Sequence, residues 1–289
     1  MPGATRAVLF VVDGLRPDAL PRAPTPHIDA LIARGASTMA ARVTVPSVTL
    51  PCHVSLFFAC GPERHGVTTN TWVLPVPPIP SLFEVARHAG LEAAAFYTWE
   101  QLRDLAPPGT LDTAYYRRLD EPADNHVLDT AAAAAAYVAQ QPPGLCFVYL
   151  EAADQAEHRF GWMSDRYLAA VTQCDRAIGT VVGALDRADI LAETAIALTS
   201  DHGGHDHSHG TETPEDMTVP WILAGPGTAV EGCRLPSSAT IVGTVPSLLY
   251  QLGIEMPAEW LGSTARQAFV APARKALGPP VSRAGAAGR

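Results

Sequence analysis

The chain alternates short, unbroken apolar runs with segments of helical periodicity. Four runs, at residues 7–12, 145–150, 194–199 and 219–224, are typical of strands buried on both faces of a parallel sheet. Apolar spacing or helix-forming composition predicts helices over 27–34, 81–88, 131–136 and 164–186, the first two stopped by Gly35 and Gly90. This alternation predicts an α/β fold of three layers, α/β/α, with helices on both faces of a mostly parallel central sheet.

One polar residue lies on the apolar stripe of the longest predicted helix. Asp175 falls in line with Val171, Ile178 and Leu185. We interpret it as a buried carboxylate that makes a structural hydrogen bond, in preference to a catalytic role.

Three segments show neither pattern. Residues 73–80 are rich in proline and predict an irregular loop. Residues 101–125 are polar and predict a small cap or a mobile loop. Residues 278–289 predict a frayed tail. A length of 289 residues allows one large domain or at most two small ones, and we expect a single catalytic domain over residues 1–277.

Composition narrows the classes of partner and compartment. The formal net charge of −9 argues against a nucleic acid polymer as partner. No apolar run approaches the roughly 20 residues that cross a bilayer, and the N-terminus lacks a signal-peptide pattern. The five cysteines form no C-x-x-C pair and are typical of reduced thiols. We therefore expect a cytoplasmic protein that acts on a small molecule away from membranes, in an oligomeric state that the sequence leaves open.

Carboxylates and imidazoles follow three of the predicted strands. Asp13 closes the first strand, Asp154 lies four residues beyond the second, and Asp201 and His202 follow the third. Ligand sites of α/β proteins lie at these carboxyl ends. Asp154 and His158 are four residues apart, so a helical turn would direct both side chains to one metal ion. Each residue alone is more typical of a cap or an ion pair, but the combination predicts a metal centre.

A hydroxyl group stands at a predicted helix start in the segment 46–53. Pro51 suits the first turn of a helix that continues through Val54–Phe58. A hydroxyl just before that turn would face free backbone N–H groups, which favour a phosphate anion. Ser47 and Thr49 both satisfy this condition, and the simpler interpretation of either is a helix cap.

Three alternating histidines, His205, His207 and His209, follow the last predicted ligands. Spacing alone does not choose a ligand among them. The run is also compatible with a solvated, metal-binding loop without catalytic function.

The order of the motifs resembles a known family. The matching segments are Asp13-Gly-Leu-Arg-Pro-Asp, Thr49-Leu-Pro-Cys-His, Pro62-Glu-Arg-His-Gly, Asn70, Glu151-Ala-Ala-Asp-Gln-Ala-Glu-His158 and Ser200-Asp-His-Gly. Together they resemble the type I phosphodiesterases/nucleotide pyrophosphatases of the alkaline phosphatase superfamily, over roughly residues 7 to 226. The resemblance implies an alkaline phosphatase-like fold and a hydrolase of phosphodiester bonds, including nucleotide pyrophosphates.

The resemblance also implies a role for each matched residue. Thr49 becomes the nucleophile of a phosphothreonine intermediate, and Asn70 a donor to phosphate oxygens. Two divalent metal ions are implied, held by Asp13, Thr49, Asp201 and His202 on one side and by Asp154, His158 and a further histidine on the other. Mixed imidazole and carboxylate ligands without sulfur favour Zn²⁺, with Mn²⁺ as the alternative.

The sequence departs from the family pattern at two places. Cys52 stands where the family usually has Asn. No histidine follows His209, whereas the nucleotide pyrophosphatases have their last ligand far downstream. The Ser208-His209-Gly210 step is similar to that of the glycosylphosphatidylinositol ethanolamine-phosphate transferases of the same superfamily. That likeness, and the distance of His209 from His202 along the chain, favour His209 as the last ligand.

Two rival functions stay open on the sequence. A phosphonate hydrolase or phosphomonoesterase would use the same site. The matched motifs contain no lysine, and an added cationic clamp is typical of monoester specificity, so we expect diesters to be preferred. A non-catalytic metal-binding protein would use the histidine run but would not require Asp13, Thr49 or Asn70.

Overall fold

The protein is built around a central sheet of eight strands. A computed structural model describes residues 3–118, 126–229, 233–235 and 239–269. The strands are β1 (Arg6–Val12), β2 (Gly35–Arg42), β3 (Ala93–Tyr97), β4 (Thr113–Tyr116), β5 (Leu145–Leu150), β6 (Thr194–Thr199), β7 (Thr218–Ala224) and β8 (Cys233–Arg234). Their order is β4-β3-β5-β1-β6-β7-β2-β8, and β7 is antiparallel to its neighbours. The predicted α/β fold with a mostly parallel sheet is confirmed.

Helices cover both faces of this sheet. They are α1 (Pro26–Ala33), α2 (Thr49–Phe57), α3 (Pro62–His65), α4 (Leu82–His88), α5 (His126–Gln140), α6 (Ala152–Phe160), α7 (Asp165–Arg187), α8 (Pro214–Met217) and α9 (Thr244–Leu252). Alternate residues of β1 point to opposite cores: Leu9 and Val11 pack on the side of α2, α4 and α9, and Val8 and Phe10 pack on the side of α1, α5 and α7. This two-sided burial explains why the central strands have unbroken apolar sequences.

The most apolar elements agree best with prediction. The four predicted strands match β1, β5, β6 and β7 to within one residue. The helices predicted at 81–88 and 164–186 begin one residue later, because Ser81 and Ser164 are N-caps. The alanine run lies within α5, as predicted. Gly35 was expected only to stop α1, but it is also the first residue of β2. Its Cβ would lie 2.2 Å from the carbonyl oxygen of Leu223, so the close strand pairing requires glycine.

The prediction of a cap or mobile loop at 101–125 is wrong for residues 113–116, whereas residues 106–112 and 117–118 have no helix or strand. Residues Thr113–Tyr116 form β4, a sheet strand that pairs in parallel with β3. A short 3-10 helix, Glu100–Leu105, leads towards it. The loop prediction for 73–80 is confirmed, since that segment has no helix or strand. Residues 119–125, and the predicted tail at 278–289 with the domain limit at 277, lie outside the described residues.

The cysteines and the helices also bear on disulfide bonding and on membrane-spanning length. All five cysteines are free thiols, as expected, and four of them are buried. Among the described residues, no helix has both the length and the apolar character needed to cross a membrane.

Asp175 ties two helices together. It is 1% exposed, and its Oδ1 accepts hydrogen bonds from the backbone N–H groups of His27 (3.0 Å) and Ile28 (2.8 Å) in the first turn of α1. The N-cap residue of α1, Thr25, makes no such bond with its own side chain. A carboxylate of α7 therefore caps α1 from a distance in sequence, which confirms the structural interpretation of Asp175.

Replacing Asp175 by alanine should destabilise the fold. Two buried N–H groups would lose their acceptor, at a cost of about 1–3 kcal/mol in the free energy of unfolding. Asp175→Asn should cost less because an oxygen acceptor is kept. Urea denaturation measures both, with the exposed Asp186→Ala as control, expected within about 0.5 kcal/mol of wild type. Wild-type stability of Asp175→Ala would contradict the capping role.

Candidate metal centre

Three neighbouring strands bring the predicted ligands to one edge of the sheet. β5, β1 and β6 are adjacent and parallel, so their carboxyl ends meet. Asp13 follows β1, Asp154 lies in the first turn of α6 after β5, and Asp201 and His202 follow β6. Thr49 is the first residue of α2. The structure thus gathers residues that are up to 189 positions apart in sequence (Asp13 to His202).

The first group of side chains surrounds Nε2 of His202. This atom lies 3.2 Å from Oδ1 of Asp13, 3.5 Å from Oδ2 of Asp201 and 3.2 Å from Oγ1 of Thr49. All four residues are at most 6% exposed. The opposite ring nitrogen of His202, Nδ1, lies 2.9 Å from the carbonyl oxygen of Gly203 and donates to it. This bond places a proton on Nδ1, so a metal ion would meet Nε2 as the ligand atom of His202.

The second group centres on Asp154. Its Oδ2 lies 3.4 Å from Nε2 of His158, and its Oδ1 lies 3.8 Å from Nε2 of His209. His209 donates from Nδ1 to the carbonyl oxygen of Ser47 at 3.0 Å, so its Nε2 also carries a lone pair. Burial lowers the pKa of His209 to about 4, which keeps the imidazole neutral at neutral pH. The two groups adjoin, since the His202 and His209 rings stack at 3.7 Å.

The other two histidines of the run lie apart from these groups. Nδ1 of His205 is 2.7 Å from Oδ1 of the buried Asp216, and His207 is exposed. Asp216 also accepts from the backbone N–H and the hydroxyl of Thr211, each at 2.8 Å. His205 therefore helps to hold the loop, while His209 faces Asp154. This arrangement supports His209 as the ligand, and it disfavours a histidine run that acts as one storage site.

Three buried carboxylates in contact range define the electrostatics. Burial, together with the charges of Asp201 and Asp154, raises the pKa of Asp13 well above its usual value. Burial, together with Asp201 and Glu157, raises the pKa of Asp154. Burial also acts to raise the pKa of Asp201, but attraction to the protonated forms of His202 and His53, together with the hydrogen bond from the backbone N–H of Gly14, lowers that pKa overall.

The carboxylate oxygens that face one another lack other partners. Oδ1 of Asp13, Oδ1 of Asp154 and Oδ2 of Asp201 are buried without a hydrogen bond among the described residues. Acceptor atoms converging in this way are favourable when a cation lies between them. The imidazole and carboxylate donors, with no thiolate among them, suit Zn²⁺ or Mn²⁺. The residues present therefore fit divalent metal ions.

The start of α2 supplies the remaining predicted groups. Asn70 accepts from the backbone N–H of Leu50 through Oδ1 at 2.9 Å, which leaves its NH₂ group as a donor for another acceptor. Ser47 is fully buried and donates to the carbonyl oxygen of Thr211 at 2.7 Å. Of the two hydroxyl groups that the sequence left open, only that of Thr49 lies in the cluster.

Known proteins share both the motifs and the fold. The sequence model of the type I phosphodiesterase / nucleotide pyrophosphatase family matches residues 7–219. This chain belongs to the type I phosphodiesterase / nucleotide pyrophosphatase family. The match confirms the resemblance to this family that the motifs carry.

The relatives include proteins with two different names. GPI ethanolamine phosphate transferase 1 of Gibberella zeae is 26% identical in an alignment of 266 positions that covers 78% of this chain and 26% of that protein. Ectonucleotide pyrophosphatase/phosphodiesterase family member 3 of Mus musculus is 24% identical in an alignment of 219 positions that covers 68% of this chain and 24% of that protein. The chain thus spans about a quarter of the length of these relatives.

Solved structures show the same fold at low sequence identity. Murine ectonucleotide pyrophosphatase/phosphodiesterase 5 in complex with AMP has a TM-score of 0.72 at 16% identity, covering 88% of this chain and 96% of that one. A 2-O GAG sulfatase has a TM-score of 0.74 at 18% identity, covering 90% of this chain and 73% of that one.

The structure also adds residues to this family member's site that the sequence analysis missed. Tyr149 donates its hydroxyl proton to Oδ2 of Asp13. His53 lies with Nδ1 2.8 Å from the carbonyl oxygen of Thr49 and 3.4 Å from Oδ2 of Asp201. Glu157 joins Asp154, His158 and His209 in a group with metal-ligand spacing. The four-residue spacing of Thr49 and His53 could have indicated that their side chains lie on one face of a helix. No such pattern marks Tyr149, which lies within a continuous apolar strand.

The cysteine that replaces the usual Asn is accommodated locally. Cys52 is fully buried, and its Sγ donates to the carbonyl oxygens of Pro46 (3.5 Å) and Thr44 (3.8 Å). The thiol therefore holds the turn before α2. Burial raises the pKa of the Cys52 thiol to about 12, so it stays protonated and is a poor ligand or nucleophile at neutral pH.

Alanine variants of the three histidines should separate their roles. His209→Ala should lose about one metal equivalent and most activity, because the second site needs about three protein ligands. His205→Ala and His207→Ala should keep both equivalents, since neither imidazole faces Asp154. Metal content after dialysis and turnover measure both properties. The assignment is wrong if His205→Ala or His207→Ala loses a metal while His209→Ala retains both.

Proposed function

We propose that this chain is a metal-dependent phosphodiesterase that acts through a phosphothreonine at Thr49. One observation carries the proposal: Oγ1 of Thr49, in the first turn of α2, lies 3.2 Å from Nε2 of His202 within a buried set of carboxylates and imidazoles. A hydroxyl placed both at a helix N-terminus and among metal ligands suits attack on a bound phosphate.

Asp13, Thr49, Asp201 and His202 would hold one divalent ion, and Asp154, His158 and His209 the other. When bound, such ions act as Lewis acids that lower the pKa of the attacking hydroxyl and stabilise the charge on the leaving oxygen. We propose Zn²⁺ for both positions, with Mn²⁺ as the alternative, on the donor types described above.

The protein groups divide the work of positioning and charge stabilisation. The oxygen of Thr49 forms a bond to phosphorus as the bond to the leaving alcohol breaks in line with it. The NH₂ group of Asn70 and the backbone N–H of Thr49 would donate to the equatorial oxygens as their charge increases. A water molecule then attacks phosphorus, the bond to Thr49 breaks, and the monoester product leaves with the threonine restored.

Two contacts bear on how the nucleophile is held. Tyr149 donates a hydrogen bond to Oδ2 of Asp13, and the other carboxylate oxygen, Oδ1, faces Nε2 of His202. His53 donates to the carbonyl oxygen of Thr49 from the next turn of α2. Both contacts fix ligand orientation from buried positions, and such supporting bonds tune the affinity of a metal site.

Transfer to an alcohol is the second candidate function. It is favoured by the similarity to GPI ethanolamine phosphate transferase 1 of Gibberella zeae and by the Ser208-His209-Gly210 step of this chain, which resembles the pattern of those transferases. The chemistry at Thr49 would be unchanged, and an alcohol in place of water would accept the phosphoryl group. Product analysis in the presence of a simple amino alcohol distinguishes the two, because transfer yields a new diester.

Activity should require both metal and Thr49. Chelation should abolish turnover of an aryl phosphodiester, and Zn²⁺ or Mn²⁺ should restore it. Thr49→Ala should lower kcat at least about a hundredfold, the scale lost with one key catalytic group. Ser47→Ala, in the same segment, should retain the nucleophile and most of the activity if it folds. Full activity of Thr49→Ala would contradict the covalent scheme.

Diesters should be hydrolysed better than monoesters. A monoester carries an additional negative charge, and among the described residues no lysine or arginine forms an ion pair with Asp13, Asp154 or Asp201. Arg16, three residues after Asp13, is engaged by Asp18 at 2.7 Å and by the carbonyl oxygen of Gly204 at 2.8 Å. The ratio of kcat/KM for an aryl phosphodiester and the matching monoester measures the preference. A clear preference for the monoester would contradict it.

A further inference from the structure

A second concave site lies between α5, α6 and α7. We call it the arginine groove; its volume is about 620 Å³, and its principal side chains are Gln155, Arg159, Phe160, Arg166, Gln173 and Arg176. None of the residues in the candidate metal centre lines it. On α6, positions 152, 155, 156, 159 and 160 share the face that forms the groove, whereas Asp154 and His158 point to the metal centre. The two sites thus lie on different faces of one helix.

The groove is positively charged in a negatively charged protein. Arg159 of α6 and Arg166 and Arg176 of α7 are exposed at its walls, and no Asp or Glu among the described residues lines it. None of these three arginines forms an ion pair with a carboxylate in the described structure, although the whole chain has a formal net charge of −9. Three like charges around one groove repel one another, and a bound anion would offset that repulsion.

An aromatic ring holds two of the three guanidinium groups in place. The guanidinium carbons of Arg159 and Arg166 lie 5.3 Å and 5.8 Å from the ring centroid of Phe160, which is itself 46% exposed. Cation–π contacts of this kind restrict the side chains without consuming their hydrogen-bond donors. An exposed ring beside the charges also offers an apolar contact for the organic part of a ligand.

We infer that the arginine groove binds a phosphate-bearing ligand outside the catalytic centre. Planar guanidinium groups match phosphate oxygens in pairs, and three of them suit a group or groups with two or more negative charges. Gln155 provides a neutral polar group on the same walls. A soluble organic phosphate and the headgroup of a phospholipid both carry this chemistry. The inference does not depend on the reaction at Thr49.

A charge-neutralising triple variant tests the groove. In Arg159→Gln/Arg166→Gln/Arg176→Gln the groove keeps its polar character but loses its charge. The matched control, Arg34→Gln/Arg187→Gln/Arg266→Gln, removes the same number of charges from residues that do not line the groove. Inositol hexakisphosphate, titrated calorimetrically, is the soluble probe. Vesicles of phosphatidylcholine, with or without phosphatidic acid, are the lipid probe, measured by co-sedimentation.

The triple variant should bind the probe at least about tenfold more weakly than wild type, because the loss of one charge-assisted hydrogen bond lowers an affinity more than about tenfold. The affinity of the control variant should stay within about twofold of wild type. A loss with inositol hexakisphosphate identifies a soluble ligand, and a loss confined to phosphatidic acid vesicles identifies a lipid headgroup. Both variants keep the metal centre, so a probe held there would bind to both equally. Equal binding by the two variants, or no binding of either probe to wild type, overturns the inference.

A melting curve shows whether the triple variant is folded. If it is not, Arg166→Gln/Arg176→Gln, which changes only exposed positions of α7, takes its place. This double variant should still lose most of the binding, and wild-type affinity would overturn the inference.

Discussion

Three aspartates buried side by side set the constraint that the rest of this structure must meet. Asp13, Asp154 and Asp201 are at most 7% exposed, and each points an unpartnered oxygen towards the others or towards His202. Removing a carboxylate from water costs several kcal/mol, and like charges at this range add to the cost. The arrangement is stable at neutral pH only if protons or cations offset the charge. Nε2 of His202 lies 3.2 Å from Oδ1 of Asp13, and Nε2 of His209 lies 3.8 Å from Oδ1 of Asp154, so imidazole nitrogens join the carboxylate oxygens in a donor set that suits metal cations.

The sheet holds this unfavourable cluster together. β5, β1 and β6 form the centre of the sheet, and each is buried throughout on both faces apart from the first residue of β1. Apolar burial there opposes the repulsion between the aspartates at the strand ends. The more distant groups are held by side-chain to backbone bonds, such as His209 to Ser47 and His53 to Thr49. The bond between His53 and Thr49 lies within α2. The bond between His209 and Ser47 connects the 203–213 loop to the segment just before α2, so the helix start and the loop are positioned together.

The predictable part of this structure is the part dominated by apolar burial. The continuous apolar runs of β1 and β5 are typical of strands that are buried on both faces. The polar residue that follows such a strand lies at the carboxyl end of the sheet, where α/β folds bind ligands. β2 and β3 were missed because Gly35–Arg42 and Ala93–Tyr97 consist largely of small residues, whose burial follows from close packing between elements. β4 was missed because a sheet-edge strand of four residues, half of them exposed, has no clear pattern.

The same division holds within the site. Asp13, Asp154, Asp201 and His202 were found because strand ends are recognisable in sequence. Whether Ser47 or Thr49 is the nucleophile, and which of the three histidines is the ligand, depends on the backbone carbonyl or carboxylate that each side chain contacts after folding. Spacing carries no information on those contacts, since Ser47 meets Thr211 and His205 meets Asp216 across 164 and 11 residues.

The central claim is that this carboxylate cluster is a site for two metal ions. Anomalous diffraction from crystals of zinc-loaded protein, recorded on both sides of the zinc absorption edge, tests it most directly. The account predicts two separate peaks, one among Asp13, Thr49, Asp201 and His202 and one among Asp154, His158 and His209. The absence of any peak at the cluster, or a peak held instead by His205 or His207, would contradict it.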